Sequence, residues 1–335
     1  MMNAIFAAED PSVVDRVYGA ETKELLAKEL GETPACYTKA KLLREPARFR
    51  DVRYLFSTWS MPVMTEDEIR TVFPALQAVF YAAGTVQSFA RPFLSCGITV
   101  CSAWAANAIP VAEYTAAQII LANKGFFRLS GADTREDFLQ IWTTQKELFP
   151  GNYHETVGIL GAGMVGKQVI RLLKPYDLRI LVFDPFLPEP DAQALGVKLC
   201  TLPEVFAQSQ VVSNHLADNP QTRGMLGADL FSAMRPHAVF LNTGRGAQVV
   251  EDELVSVLEK RTDLTAVLDV TFPEPPCAEH AFYRLPNCIL TPHIAGSSGN
   301  EVHRMAAYMA EEFLRFRSGE PCRFAVSEAM LCTMA

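Results

Sequence analysis

The sequence predicts an α/β fold with parallel sheets, arranged as two domains. Three observations carry this. At 335 residues the chain is longer than one hydrophobic core usually serves. Short apolar runs alternate with amphipathic segments along its length, and strands alternating with helices imply parallel pairing. In the second half those runs are almost continuously apolar, as expected of strands covered on both faces.

In the first third, "NAIFAA", "RYLFST", "LQAVFYAA" and "GITVCSA" read as strands, with helices over residues 11–30 and 65–73 between them. The apolar region Cys96 to Ala122 is interrupted by Asn107, Pro110, Glu113 and Gln118. It therefore reads as a buried strand and a buried helix, and no membrane association is expected. That helix is expected to start near Pro110 and run through "VAEYTAAQIILANKG", because Pro suits a first helical turn and Gly a helix end. From residue 156 the strand candidates are "TVGILG", "RILVFD", "QVVSNH", "AVFLNTG", "LTAVLDV" and "CILTPH". Each ends in polar or backbone-specific chemistry: Gly161, Asp184, His215, Thr243–Gly244, Asp269 and His293. Ligands of open α/β sheets bind at the carboxyl ends of the strands. Six such endings in a row point to one ligand crevice.

Composition narrows the function classes. Apolar residues make up 49% of the chain and charged residues 20%, too apolar for disorder. A net charge of −8 argues against general nucleic-acid binding, which needs a basic face. The opening "MMNAIFAAEDP" has no basic n-region, so no export signal and a cytoplasmic location are expected. The eight cysteines form no CxxC pair and stand at no zinc-ligand spacing with histidine, so reduced thiols and no metal are expected.

"VGILGAGMVGKQVIRLLKPY" carries Gly161, Gly163 and Gly166 between a strand and a helix. A lone GxGxxG says little. Here an acid, Asp184, ends the next strand, 184 − 166 = 18 residues past the last glycine. Gly161 allows the tight turn, Gly163 lets backbone approach a pyrophosphate, and Gly166 permits close helix–strand packing. The helix N-terminus supplies N–H groups and partial positive charge. Asp184 would accept ribose hydroxyls and repel a 2′-phosphate, which favours NAD over NADP.

Three further strand ends, "LNTGRG" (241–246), "LDVTFPEPP" (268–276) and "LTPHIAG" (290–296), each place one ionisable group beside a glycine or proline: Arg245, Glu274 and His293. Taken singly, each could be a solvated surface group. Together beside a dinucleotide they match chemically. Arg can hold a carboxylate in a fork, His can transfer a proton near neutral pH, and Glu can orient that His and favour its charged form.

With these motifs in order, the chain resembles the D-isomer-specific 2-hydroxyacid dehydrogenase family. "NTGRG", "DVTFPEPP" and "TPHIAG" follow the dinucleotide motif at similar spacings (274 − 245 = 29; 293 − 274 = 19). "HLADNPQTRGML" is similar to the family's His-x-Pro-Leu-Thr stretch, and "AANAIPVAEYT" to the segment opening its interdomain helix. The resemblance covers residues 75–310 well and the first 74 poorly. It implies two doubly wound parallel-sheet lobes, a Rossmann-type dinucleotide domain (109–299) inserted into a flavodoxin-like substrate domain (1–108 with 300–335). The helix in "EVHRMAAYMAEEFLRFRSG" would carry the chain back. It further implies a homodimer formed through the dinucleotide lobe.

The resemblance also implies roles. His293 would transfer the proton, with Glu274 as its partner and Arg245 as the substrate clamp. Met164 and Val165 would line the pyrophosphate. Thr243, Gly244 and Asp269 would lie along the nicotinamide half, and His215, Asn219, Arg245, His293 and Gly296 would also touch NAD. Ala83, Gly84 and Asn107 would hold the substrate, with Trp59 beside its side chain. Two departures stand out: Ala217-Asp218-Asn219 replaces Pro-Leu-Thr, and Val86 stands where Asp is common.

The implied reaction interconverts a 2-oxo acid and a D-2-hydroxy acid by hydride transfer with NAD(H). Formate oxidation is disfavoured, because that relative has Gln where Glu274 stands. A phosphorylated substrate is disfavoured too, because "STWSMP" (57–62) lacks a cation, while Trp59, Met61 and Pro62 suggest an apolar pocket. The rival class is an NAD-sensing regulator of the same fold, like the C-terminal binding protein corepressors.

Overall fold

A computed structural model describes residues 2–332, with the side chain of Cys332 left aside. The last residues of the expected segment 300–335, 333–335, lie outside the described residues. The chain divides into two compact units. One holds the residues up to Asn107 and again from Ser297 on; the other is Ala108–Gly296. These divisions fall one and three residues before the expected ones. Ser297 joins the first unit because its N–H donates to Asn107 Oδ1 at 2.9 Å.

The first unit is built on β1 (Ala4–Ala7), β2 (Cys36–Tyr37), β3 (Tyr54–Ser57), β4 (Ala78–Tyr81) and β5 (Thr99–Ser102). The pairs are parallel, in the order β2-β1-β3-β4-β5, the flavodoxin-like arrangement. Side chains alternate between faces. Ile5, Leu55 and Val79 enter one core and Phe6, Phe56 and Phe80 the other. The helix Val302–Arg317 closes the second face, its Phe313 ring 5.3 Å from Phe56 and 5.7 Å from Phe80. The short edge strand β2 escapes sequence reading, because two residues show no period.

The second unit holds β6 (Tyr153–Leu160), β7 (Asp177–Phe183), β8 (Lys198–Leu199), β9 (Val211–Asn214), β10 (Val239–Asn242), β11 (Thr265–Leu268) and β12 (Cys288–Leu290). All pair in parallel in the order β12-β11-β10-β9-β6-β7-β8. This is the Rossmann order with one added strand, and its direction of winding reverses between β6 and β9. β9, β10 and β11 are buried throughout, as both-face coverage requires.

Two helix expectations need correction. Residues 11–30 form a helix broken at Gly19 (φ 51°), where an added Cβ would lie 3.0 Å from His303 Nδ1, so the chain turns aside at this close approach. The expected start at Pro110 is too late. The helix runs Trp104–Asn123, and Asn107 N donates to Ala103 O at 3.0 Å before the proline is reached. Pro110 thus lies inside the helix, where it removes one backbone donor. Among the described residues no helix is long and apolar enough to cross a membrane.

Candidate active site

The glycine loop follows β6 beside the winding reversal. Gly161 has φ 86°, and a Cβ there would lie 2.8 Å from His215 O, in the loop after β9. A Cβ on Gly166 would fall 2.0 Å from Gly161 O, so only glycine lets the helix Met164–Leu173 start this close to the strand. A Cβ on Gly163 would meet nothing within 4 Å. That open cradle at a helix N-terminus is what a pyrophosphate needs. Asp184 accepts from Ala162 N at 2.7 Å and from Phe186 N at 2.8 Å, so it also fastens this loop to the end of β7. A cavity of about 380 Å³ opens beside it, lined by Pro185, Leu199 and Thr201 among others. The residues present therefore fit a dinucleotide.

The loop after β12 holds His293 in the left-handed region (φ 53°), an unusual place for a residue with a Cβ. Asp269, 3% exposed at the end of β11, holds it there. Its carboxylate accepts from Thr291 Oγ1 (2.6 Å), Ile294 N (2.8 Å) and Ala295 N (2.9 Å). Its backbone carbonyl accepts from His293 N at 3.1 Å. The imidazole then places Nδ1 2.6 Å from Glu274 Oε1, leaving Nε2 for a ligand. Both side chains of the pair are nearly half exposed (46% and 41%), so a ligand can reach them.

Arg245 follows β10. Its Nη1 donates to Gly244 O at 2.7 Å. Burial pulls the guanidinium below its ordinary value, and the nearby Asp218 and Glu274 charges oppose that. Gly246 lets this loop press against the Glu274 loop, since a Cβ would sit 2.0 Å from the Thr271 carbonyl carbon. Beneath lies a buried amide network that the sequence reading missed. Asn214 Nδ2 donates to Asn242 Oδ1 at 3.0 Å and also bonds Gln248, whose Nε2 donates to Leu216 O at 2.7 Å. Asn242 in turn accepts from Gly244 N and donates to Arg245 O, both at 3.1 Å. Polar residues closing the apolar runs "VVSN" and "VFLN" were the available signal.

The remaining expected residues are placed as follows. Thr243 Oγ1 lies 3.1 Å from Thr115 Oγ1 and 3.4 Å from His215 Nδ1. His215 Nε2 lies 2.9 Å from Ser213 Oγ, and burial pushes its pKa down to about 3, so it stays neutral. Met164 is 45% exposed and Val165 half-buried at the start of the helix, and Gly296 ends the unit. Asn219 turns its carboxamide inward, accepting from Gln221 N (3.0 Å) and Thr222 N (3.1 Å). Asp218, from the same departure, forks onto Arg223 at 2.9 and 3.1 Å.

In the first unit, Trp59, Ala83, Gly84 and Asn107 all follow strand ends. Ser102 Oγ fastens the loop by donating to Gly84 O at 2.6 Å, and Asn107 Nδ2 lies 3.5 Å from where a Gly84 Cβ would be. Val86 is fully buried in the core, which explains an apolar residue there. The reading of "STWSMP" needs correction. Met61 belongs to the core, and the Arg16 guanidinium lies 5.5 Å from the Trp59 ring centre. Arg16, on the helix that begins at Pro11, thus brings a cation beside this segment.

A model of the D-isomer specific 2-hydroxyacid dehydrogenase NAD-binding domain matches residues 118–295. The chain belongs to this family. Among curated members of the family, a D-3-phosphoglycerate dehydrogenase of Archaeoglobus fulgidus is 30% identical over 231 residues, 69% of this chain and 43% of the relative. The human glyoxylate reductase/hydroxypyruvate reductase is 33% identical over 184 residues, 54% of this chain and 56% of the relative. The match thus spans about half the length of these relatives. In fold, apo D-mandelate dehydrogenase of Rhodotorula graminis aligns with a TM-score of 0.81 at 17% identity, covering 98% of each chain. A phosphoglycerate oxidoreductase of Rhizobium etli aligns at 0.80 with 22% identity, over 98% of this chain and 99% of that one.

Proposed function

We propose that this chain reduces a 2-oxo acid to the D-2-hydroxy acid with NADH, and catalyses the reverse oxidation. The 2.6 Å contact between His293 Nδ1 and Glu274 carries the reading. The carboxylate there orients the imidazole and leaves Nε2 able to exchange a proton with a substrate oxygen. Bound NADH supplies the hydride. Arg245 binds the substrate carboxylate and stabilises negative charge growing on the C2 oxygen. Asp269 holds the imidazole loop in position, besides the cofactor contact that the resemblance implies. Gly161, Gly163, Gly166 and Asp184 hold the dinucleotide.

A second reading concerns the substrate's distal group. Arg16 over Trp59 favours an anionic group, against the apolar one expected from "STWSMP". A panel of 2-oxo acids with apolar, dicarboxylic and phosphorylated side chains, followed by NADH absorbance, tests both points. We expect turnover, with at least about tenfold lower kcat/KM for NADPH, or about 1.4 kcal/mol. NADH binding without turnover of any member would mean a regulator instead.

A further inference from the structure

The sequence shows no metal motif, yet the first unit brings three donors together. Cys101, the third residue of β5, is fully buried. The chain's last segment runs antiparallel beside β5: Ser102 N donates to Phe324 O at 3.1 Å and Val326 N to Val100 O at 2.8 Å. This pairing carries Cys322 toward Cys101, and the helix Val302–Arg317 adds Glu312. The two sulfurs and a Glu312 carboxylate oxygen all lie within 4.8 Å of one another.

Glu312 makes this more than a chance gathering. It is 1% exposed. Its Oε2 accepts from Phe324 N at 3.0 Å, but Oε1 has no hydrogen-bond partner. A buried carboxylate oxygen without a partner is costly. The facing thiols are weak donors, and burial together with the acid pushes both of their pKa values up. A disulfide between the cysteines would leave Oε1 as it is. A cation among the three donors would satisfy it.

We propose that Cys101, Glu312 and Cys322 form a binding site for a thiophilic divalent cation of the zinc class. Tetrahedral zinc, with bonds of about 2.3 Å to sulfur and about 2.1 Å to oxygen, needs donors roughly 3.5–3.8 Å apart, inside the 4.8 Å within which these three lie. Each thiol releases its proton to solvent as its sulfur binds. Cys322 is only half-buried, which provides entry and room for water as fourth ligand.

The test uses the full chain, reduced and stripped by chelator, titrated with Cd²⁺ and Zn²⁺. We expect one equivalent per chain, a thiolate-to-cadmium charge-transfer band and a raised Tm. Cys322→Ser and Glu312→Gln, which change shape least, should each weaken binding by about tenfold or more. In the unmutated protein, bound Zn²⁺ should slow alkylation of Cys322 about tenfold, mapped by mass spectrometry, while the exposed Cys277 reacts as before. Absence of the band, undiminished affinity in both folded variants, or unprotected Cys322 at saturating Zn²⁺ would overturn the proposal. So would a Cys101–Cys322 disulfide in a protein that, once reduced, binds no cation.

Discussion

At His293 the backbone sits at φ 53°, a conformation that costs roughly 1–2 kcal/mol for a residue with a Cβ. The three hydrogen bonds that Asp269 accepts from residues 291–295 offset it. The strain aims the imidazole at Glu274, and two predictions follow from that pairing. His293→Ala should lower kcat by about 10²–10⁴ while NADH affinity survives. Glu274→Gln keeps the shape but removes the carboxylate that orients the imidazole through the 2.6 Å contact. The kcat of oxo-acid reduction should therefore fall by roughly tenfold or more while NADH affinity survives. Steady-state kinetics of oxo-acid reduction for wild type and Glu274→Gln check this, and an unchanged kcat would detach Glu274 from the proton transfer.

At the scale of elements, glycines set how closely loops and helices approach. Gly166→Ala drives a Cβ to 2.0 Å from Gly161 O and should destabilise by about 1–3 kcal/mol, seen as a lower Tm without any ligand. Gly163→Ala meets open space and should leave that Tm unchanged while weakening NADH binding, measured by calorimetry. Equal Tm losses in both would refute the cradle. The Glu274 loop has its own tether: Phe272 N donates to Glu251 Oε1 at 2.8 Å, on the helix Glu251–Lys260. Burial pushes Glu251 up to about 7. A raised carboxyl stabilises the fold in its protonated form, a contribution complete below its ordinary value near 4.5 and lost as pH rises through about 7. Glu251→Gln stays neutral, so its Tm should fall less than wild type as pH rises from about 4.5 to about 7. Parallel Tm curves would show that this acid is not buried as described.

For the molecule as a whole, the first unit depends on chain ends far apart in sequence. The Phe313 ring packs on Tyr54 at 5.1 Å as well as on Phe56 and Phe80. Phe313→Ala should cost about 3–5 kcal/mol. Thermal unfolding should show the first unit melting earlier while NADH binding by Ala108–Gly296 persists above that transition. Loss of NADH binding in the same transition as the first unit would contradict the division into two units.

The sequence by itself determined the α/β class, most strands, the glycine loop and the chemically matched trio of Arg245, Glu274 and His293. These are legible because parallel strands buried on both faces read as apolar runs, and strand ends bring ligand chemistry to one rim. It did not disclose the break at Gly19 or the helical start at Trp104, because a close approach and a buried proline are consequences of packing. The Asn214–Asn242–Gln248 network, Arg16 over Trp59, and the meeting of Cys101, Glu312 and Cys322 belong to tertiary structure alone. Their partners lie on different elements, and local pattern carries no record of which elements come to lie side by side.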